Sequence, residues 1–242
     1  MKNWIKGIIF AILACAAVYL IPCFVLWNRF LDLPNTQSVP LITDYSLKDE
    51  KTYKLEKTNL EVSVPTYYTR CQEIKEFSAY VCDSREKNKQ LLIIYQPFNQ
   101  VADKIMPGFS ETYDDLMDNF YDAELPFPIS LTHEFPNDIF EGMKEIYTKD
   151  KNDYNFWDPN ESLYLYHCLT ARIEAEKKAS VTVHSMYERD NVRAIVATNK
   201  NEPGTYVALI IPNSNTGNIY AIIIQTSDPN DITKILNTYE FK

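Results

Sequence analysis

Residues 181–226 read VTVHSMYERDNVRAIVATNKNEPGTYVALIIPNSNTGNIYAIIIQT, and their pattern decides the fold. Val181 to Glu188 and Val192 to Thr198 are runs of strand formers joined at Asp190-Asn191. Thr205 to Ile211 and Ile219 to Thr226 are two more, joined through the polar stretch Asn213–Asn218. Four sequential strands with short turns predict an antiparallel meander. A half-buried strand alternates apolar and polar residues, yet Ala208–Ile211 and Ala221–Ile224 do not. Their continuity predicts central strands with helices against both faces. Asp228-Pro229 then caps and opens a closing helix, with Ile232, Ile235, Leu236 and Tyr239 as its apolar stripe.

Upstream, Asp158-Pro159-Asn160-Glu161 has a cap, a proline at the first helical position and a glutamate at the third. The helix it starts is predicted to run to about Lys177, with Leu165, Tyr166, Leu169 and Ile173 on its inner face. Asn137 or Asp138 starts another, with Ile139, Phe140, Met143, Ile146 and Tyr147 inward. After Pro107-Gly108, Ser110 caps a third through about Tyr121. Its apolar stripe is Tyr113, Leu116, Met117 and Phe120, and Asp114, Asp118 and Asp122 form an acidic row on the other side. Earlier still, residues 53–56 and 60–64 form one predicted hairpin and residues 77–82 and 90–95 a second. The fold class is therefore α+β, an antiparallel sheet sandwiched between helices over residues 52–242.

This order of elements resembles the PsbP/Mog1-like superfamily. The likeness rests on a strand pair ending in Val62-Ser63-Val64-Pro65 and a middle helical insert. It rests also on Tyr220-Ala221-Ile222-Ile223-Ile224 in the last strand and a closing segment from Ile235 to Phe241. The resemblance implies an antiparallel sheet between helix layers and a non-catalytic binding or assembly role. It transfers no functional residue.

The chain begins differently. Trp4 to Trp27 reads WIKGIIFAILACAAVYLIPCFVLW, with Lys6 its one charge. At 1.5 Å per residue this is roughly 36 Å of helix, enough for a hydrocarbon core of about 30 Å. Lys2, Lys6 and the amino terminus precede the apolar core, which predicts the amino end in the cytoplasm and the remainder outside it. Residues 1–27 are thus read as a single-pass anchor in the cytoplasmic (inner) membrane. Residues 28–51 are read as a tether, and 52–242 as an extracytoplasmic domain. Leu41 and Ile42 are candidates to pack back on that domain. The competing reading is a cleaved signal peptide, since Ala14-Cys15-Ala16 resembles a cleavage site. Cleavage there leaves the apolar AAVYLIPCFVLW as a new amino end, whereas signal peptides turn polar after the cut. That contrast favours retention.

Acidic residues outnumber basic ones 33 to 24, and without Lys2 and Lys6 the balance is 33 to 22. A net −11 argues against nucleic acid and anionic membrane surfaces as partners; it suits a basic or envelope protein partner or a divalent cation, with solubility alone as the competing reading. Cys71 and Cys82 lie eleven residues apart around strand formers. An extracytoplasmic address permits a disulfide there, with two reduced thiols as the alternative. Residues 150–161, DKNDYNFWDPNE, place Asp150, Asn152, Asp158 and Glu161 at positions 1, 3, 9 and 12 of a calcium-loop pattern. Tyr154 at position 5 and Asn155 at position 6 depart from it, and Asp158 and Glu161 already serve as helix cap and capping box. An ordinary polar loop is the competing reading, and calcium is the only cofactor entertained. His133, His167 and His184 follow no zinc spacing, and no nucleophile-elbow, Walker or dinucleotide pattern occurs. The expected function is a membrane-anchored, outward-facing, non-catalytic binding or assembly module. The alternative is a hydrolase or cation-dependent enzyme with a dispersed Asp, Glu and His site.

Overall fold

The computed structural model describes residues 2–43, 50–55, 60–74, 79–84, 89–97, 133–136, 138–178, 180–189, 192–201, 204–212, 220–237 and 240–241. The expected helix at 110–121 and its acidic row Asp114, Asp118 and Asp122 lie outside them. Among the described residues the chain is mixed helix and sheet, preceded by one long apolar helix, α1 (Lys2–Asp32).

An eight-stranded sheet dominates. In chain order its strands are β1 (Leu41–Ile42), β4 (Arg70–Ile74), β5 (Ala79–Ser84), β6 (Lys89–Pro97), β7 (Val181–Arg189), β8 (Val192–Asn199), β9 (Tyr206–Pro212) and β10 (Tyr220–Thr226). Their spatial order is β1-β7-β8-β9-β10-β6-β5-β4. The meander from β7 to β10 is antiparallel throughout, with β10 opposite β6. A smaller sheet orders β11 (Glu240–Phe241), β3 (Leu60–Pro65) and β2 (Glu50–Leu55). Arg193, Ala194, Ile195, Val196 and Ala197 are all buried, as are Ala208, Leu209 and Ile210. Successive strand residues point to opposite faces, so β8 and β9 are covered on both. That is the physical reason their sequences do not alternate.

One face carries Tyr187, Ala194, Val196, Ala208, Ile210 and Ile224. It packs with Val64, Tyr68 and the stripe Ile232, Ile235 and Leu236 of helix α4 (Pro229–Asn237). The Tyr68 hydroxyl donates to the Asp231 carboxylate at 2.8 Å within this core. On β8 the intervening residue Arg193 reaches helix α2 (Ile139–Thr148), its guanidinium 2.7 Å from Asp138 and 5.2 Å over the Phe140 ring. Asp138 also caps α2 by accepting from Phe140 N and Glu141 N. Burial works to raise this carboxyl's pKa, but Arg193 and the two amides prevail and hold it below the usual carboxylate range.

Helix α3 (Pro159–Lys178) packs on α2 and β7. It buries more than the single stripe expected of it. Leu163, Tyr164, Leu165, Cys168, Leu169 and Arg172 are all enclosed, because α1 covers a second side. Two further differences concern the amino-terminal part. α1 does not stop at Trp27 but runs to Asp32. The described part of 28–51 does not hang free: Val39 is buried, and β1 pairs parallel with β7, Leu41 opposite Met186. Backbone bonds carry this return, Val39 N to Tyr147 O at 2.8 Å and Met186 N to Pro40 O at 3.0 Å.

Candidate functional site

The two halves of α1 differ. Residues 6–19 are exposed all round, with Phe10 75 % exposed. Further on, Cys23, Leu26 and Phe30 are buried. Their spacing of three and four residues makes one stripe on a helix. The stripe meets the globular part along α3 and the loop that precedes it, and among the described residues this junction is the most developed feature outside the core.

The loop is residues 149–158, between α2 and α3. Asp150 caps the short 3-10 turn Lys151–Asp153, accepting from Asn152 N at 2.7 Å while Asp153 accepts from Asp150 N at 2.8 Å. This reciprocal box fixes Lys151 and Tyr154 in place. The Lys151 ammonium donates to Leu33 O at 2.6 Å, just past the α1 carboxyl end, where the helix dipole favours a cation. Tyr154 lies against the ring of Phe30 at 4.5 Å and of Trp27 at 5.1 Å, and its hydroxyl donates to Cys23 O at 3.2 Å. Burial pushes that phenol up to about 12. Phe156 meets Phe24 edge-on at 5.1 Å, and the Tyr19 hydroxyl donates to the Trp157 carbonyl. From α3, Tyr166 meets Phe30 at 5.7 Å and takes the Arg29 guanidinium over its ring at 6.0 Å. Leu165 and Leu169 complete the pocket around Phe30. Edge-on and tilted aromatic pairs of this kind add about 0.5–1.5 kcal/mol each beyond the area they bury.

Asp150, Asn152, Asp158 and Glu161 therefore sit in this clasp. Asp150 is engaged by Asn152 N and Ser38 N, and Asp158 accepts from Glu161 N at 3.1 Å as the cap of α3. Glu161 turns to His133, 2.9 Å away. Among the described residues no group of three or more His, Cys, Asp and Glu gathers to hold a metal ion. The three histidines are dispersed: His133 lies tilted over Tyr164, His167 meets Tyr166 edge-on, and His184 bonds Thr198 at 2.7 Å. Burial, assisted by Arg29, drives His167 down to about 4. Cys168 is buried, which pushes its thiol up to about 12 and keeps it protonated rather than nucleophilic.

At the far edge of the large sheet, Cys71 and Cys82 face one another on β4 and β5 and are joined as a disulfide. An open groove of about 660 Å³ flanks the return from α1, lined in part by Gln37, Arg172, Glu176 and Lys200. Its polar groups bind one another: Arg172 donates to Gln37 O at 2.7 Å and to Glu176 at 3.1 Å.

No known family model matches the chain, and no curated protein matches it either. The site is thus read from its own residues. Sequence reading singled out the cation-like spacing of the loop and missed the clasp formed by Phe30, Tyr154 and Lys151. The signal was present: Leu26, Phe30 and Leu33 continue an apolar helical spacing past the end of the membrane-length run.

Proposed function

We propose that the protein is a single-pass, membrane-anchored binding or assembly module. Its acidic α+β domain is held rigidly outside the cytoplasm, against the membrane, and does no chemistry of its own. In this reading the amino end of α1 is cytoplasmic and residues 6–19 lie in lipid. The eight-stranded sheet is the middle layer, with α4 on one side and α2 and α3 on the other, as in the PsbP/Mog1-like architecture that the element order resembles.

The observation that carries the reading is the junction. α1 is long and apolar enough to cross a membrane, a property that a signal sequence shares. A signal sequence, however, is discarded, and nothing in its export requires a fit to the mature domain. Here Cys23, Leu26 and Phe30 are built into that domain, with Tyr154, Lys151 and Arg29 completing the fit. Cleavage after Ala16 would leave this fit attached to a mostly exposed apolar end, Ala17–Ile21. A retained helix explains both halves.

A binding rather than catalytic role is supported by the engagement of the reactive groups. The three histidines and Cys168 each serve local packing or pairing, and the acids of the loop serve as caps. The net negative charge favours a basic partner in the envelope. Crosslinking in native membranes, followed by mass spectrometry, tests the role. One or a few envelope proteins should be joined to the domain at constant stoichiometry. Crosslinks that merely follow the abundance of neighbouring proteins contradict it.

A further inference from the structure

We infer that the Phe156–Trp157 loop is a second membrane contact, a wedge that sits in the outer lipid interface beside α1 and fixes the domain's attitude on the bilayer. The inference rests on the reading that α1 spans the membrane, and it deepens that reading by assigning a lipid-binding surface to the domain itself.

The first ground is level. Phe156 touches Phe24, and the Trp157 carbonyl takes the Tyr19 hydroxyl. The loop therefore lies beside the segment 19–24 of α1. Trp27 is eight residues beyond Tyr19, about 12 Å further along the axis. If Trp27 marked the lipid boundary, the loop beside residues 19–24 would sit about 5–12 Å inside the hydrocarbon. The junction supplies a better boundary. Cys23 and Leu26 are enclosed by protein, so lipid is needed only up to about Phe24. From Trp4 to Phe24 is twenty residues, about 30 Å of helix, equal to the hydrocarbon thickness. On that placement the loop runs from the boundary at Phe24 to about 8 Å below it at Tyr19, the shallow depth that amphipathic indoles reach.

The second ground is surface character. Trp157 is 68 % exposed, and it stands edge-on to Phe156 at 5.2 Å. Tyr19, Ile21 and Phe24 beside it are exposed as well. The apolar surface is thus continuous from the free half of α1 onto the loop tip, and whatever solvates the helix solvates the loop.

The third ground is the loop backbone. A chain entering a medium of low polarity must satisfy its own polar groups. Trp157 N donates to the Asn155 side chain at 3.1 Å, and Asp158 N donates to Asn155 O at 3.0 Å. The Ser162 hydroxyl donates to the same Asn155 carbonyl at 2.6 Å. Tyr19 takes care of the Trp157 carbonyl. Four of the tip's backbone groups are thus bonded, as an interfacial position favours.

The test is tryptophan fluorescence of the full chain reconstituted in zwitterionic phosphatidylcholine vesicles. In the W4F/W27F variant Trp157 is the one indole. Its emission should be lost to lipids brominated high on the acyl chain, less to lipids brominated at mid-chain, and little to aqueous acrylamide. Full quenching by acrylamide with none by bromolipid overturns the inference. Shielding from both quenchers overturns it too, since a protein surface then covers the tip. A second variant, W4F/W27F/W157F carrying L13W, reports the helix alone, since Leu13 is 62 % exposed on the free half. Its indole should be quenched most at mid-chain. Failure there overturns the span itself, whereas a quenched L13W with an unquenched Trp157 overturns the wedge alone.

Discussion

The two halves of α1 are both rich in apolar residues and meet two different fates. Residues 6–19 are exposed, with the Tyr19 hydroxyl at their end bonded to the Trp157 carbonyl, whereas Cys23, Leu26 and Phe30 are as buried as the sheet core. Apolar sequence alone does not separate them. What separates them is the partner surface: an aromatic loop and one side of α3 await the second half, and lipid is proposed for the first. The domain is thus not carried on a loose leash. The last turns of α1 are packed against it through Cys23, Leu26 and Phe30.

Truncation gives the largest contrast. Phe30→Ala removes a ring buried among Tyr154, Tyr166, Leu165 and Leu169. It should cost about 3–5 kcal/mol, read as lost hydrogen-exchange protection of amides 23–33. Phe10→Ala on the exposed half should change domain stability by less than about 0.5 kcal/mol. Equal effects at the two positions break the distinction.

Acid tests the same joint through His167. Its pKa lies at about 4 in the fold, below the ordinary 6.5. A depressed pKa means that the unfolded chain binds the proton first. The stability this group provides is therefore complete above pH 6.5 and is lost as pH falls towards 4. The total is on the order of 3 kcal/mol, from 1.36 kcal/mol per pKa unit. A melting series from pH 7 to pH 4 should show that loss in the native protein and a smaller one in His167→Gln. An identical acid profile for the two would show that His167 does not report the junction.

The disulfide supplies the control at the opposite edge of the sheet. Replacing both Cys71 and Cys82 with serine should cost about 2–3 kcal/mol by freeing a short loop in the unfolded chain. Protection of amides 23–33 should stay put. Loss of that protection would mean the clamp depends on the whole sheet and not on its local contacts. The smallest effect belongs to Tyr154→Phe, which deletes only the hydroxyl donated to Cys23 O. About 1 kcal/mol of junction stability should go, with the ring contacts kept.

Much of the fold was legible because it obeys local rules. The unbroken apolar runs at Ala208–Ile211 and Ala221–Ile224 marked inner strands. Asp158-Pro159 and Asp228-Pro229 marked helix starts. Strand β4 was not legible: Arg70–Ile74 alternates half-buried and exposed residues, and its partner supplies most of its reason to be a strand. The clasp escaped for a related cause. Tyr154 has meaning only next to Phe30, and 124 residues of chain separate them. The same stretch, 150–161, showed an acid spacing that invited a cation. Asp150 and Asp158 accept from backbone amides, the commoner task of an aspartate ahead of a helix, and Glu161 pairs with His133. In α3 the amphipathic stripe was blurred because two surfaces, α2 and α1, claim it.

The central claim is that α1 is retained and crosses the bilayer, with its last turns held by an outside domain. Protease treatment of intact spheroplasts, followed by mass analysis of what remains in the membrane, tests it most directly. The account predicts that the domain is digested and that a membrane-held peptide containing residues 2–19 survives. An undigested full-length chain, or a membrane fraction with no such peptide, would contradict it.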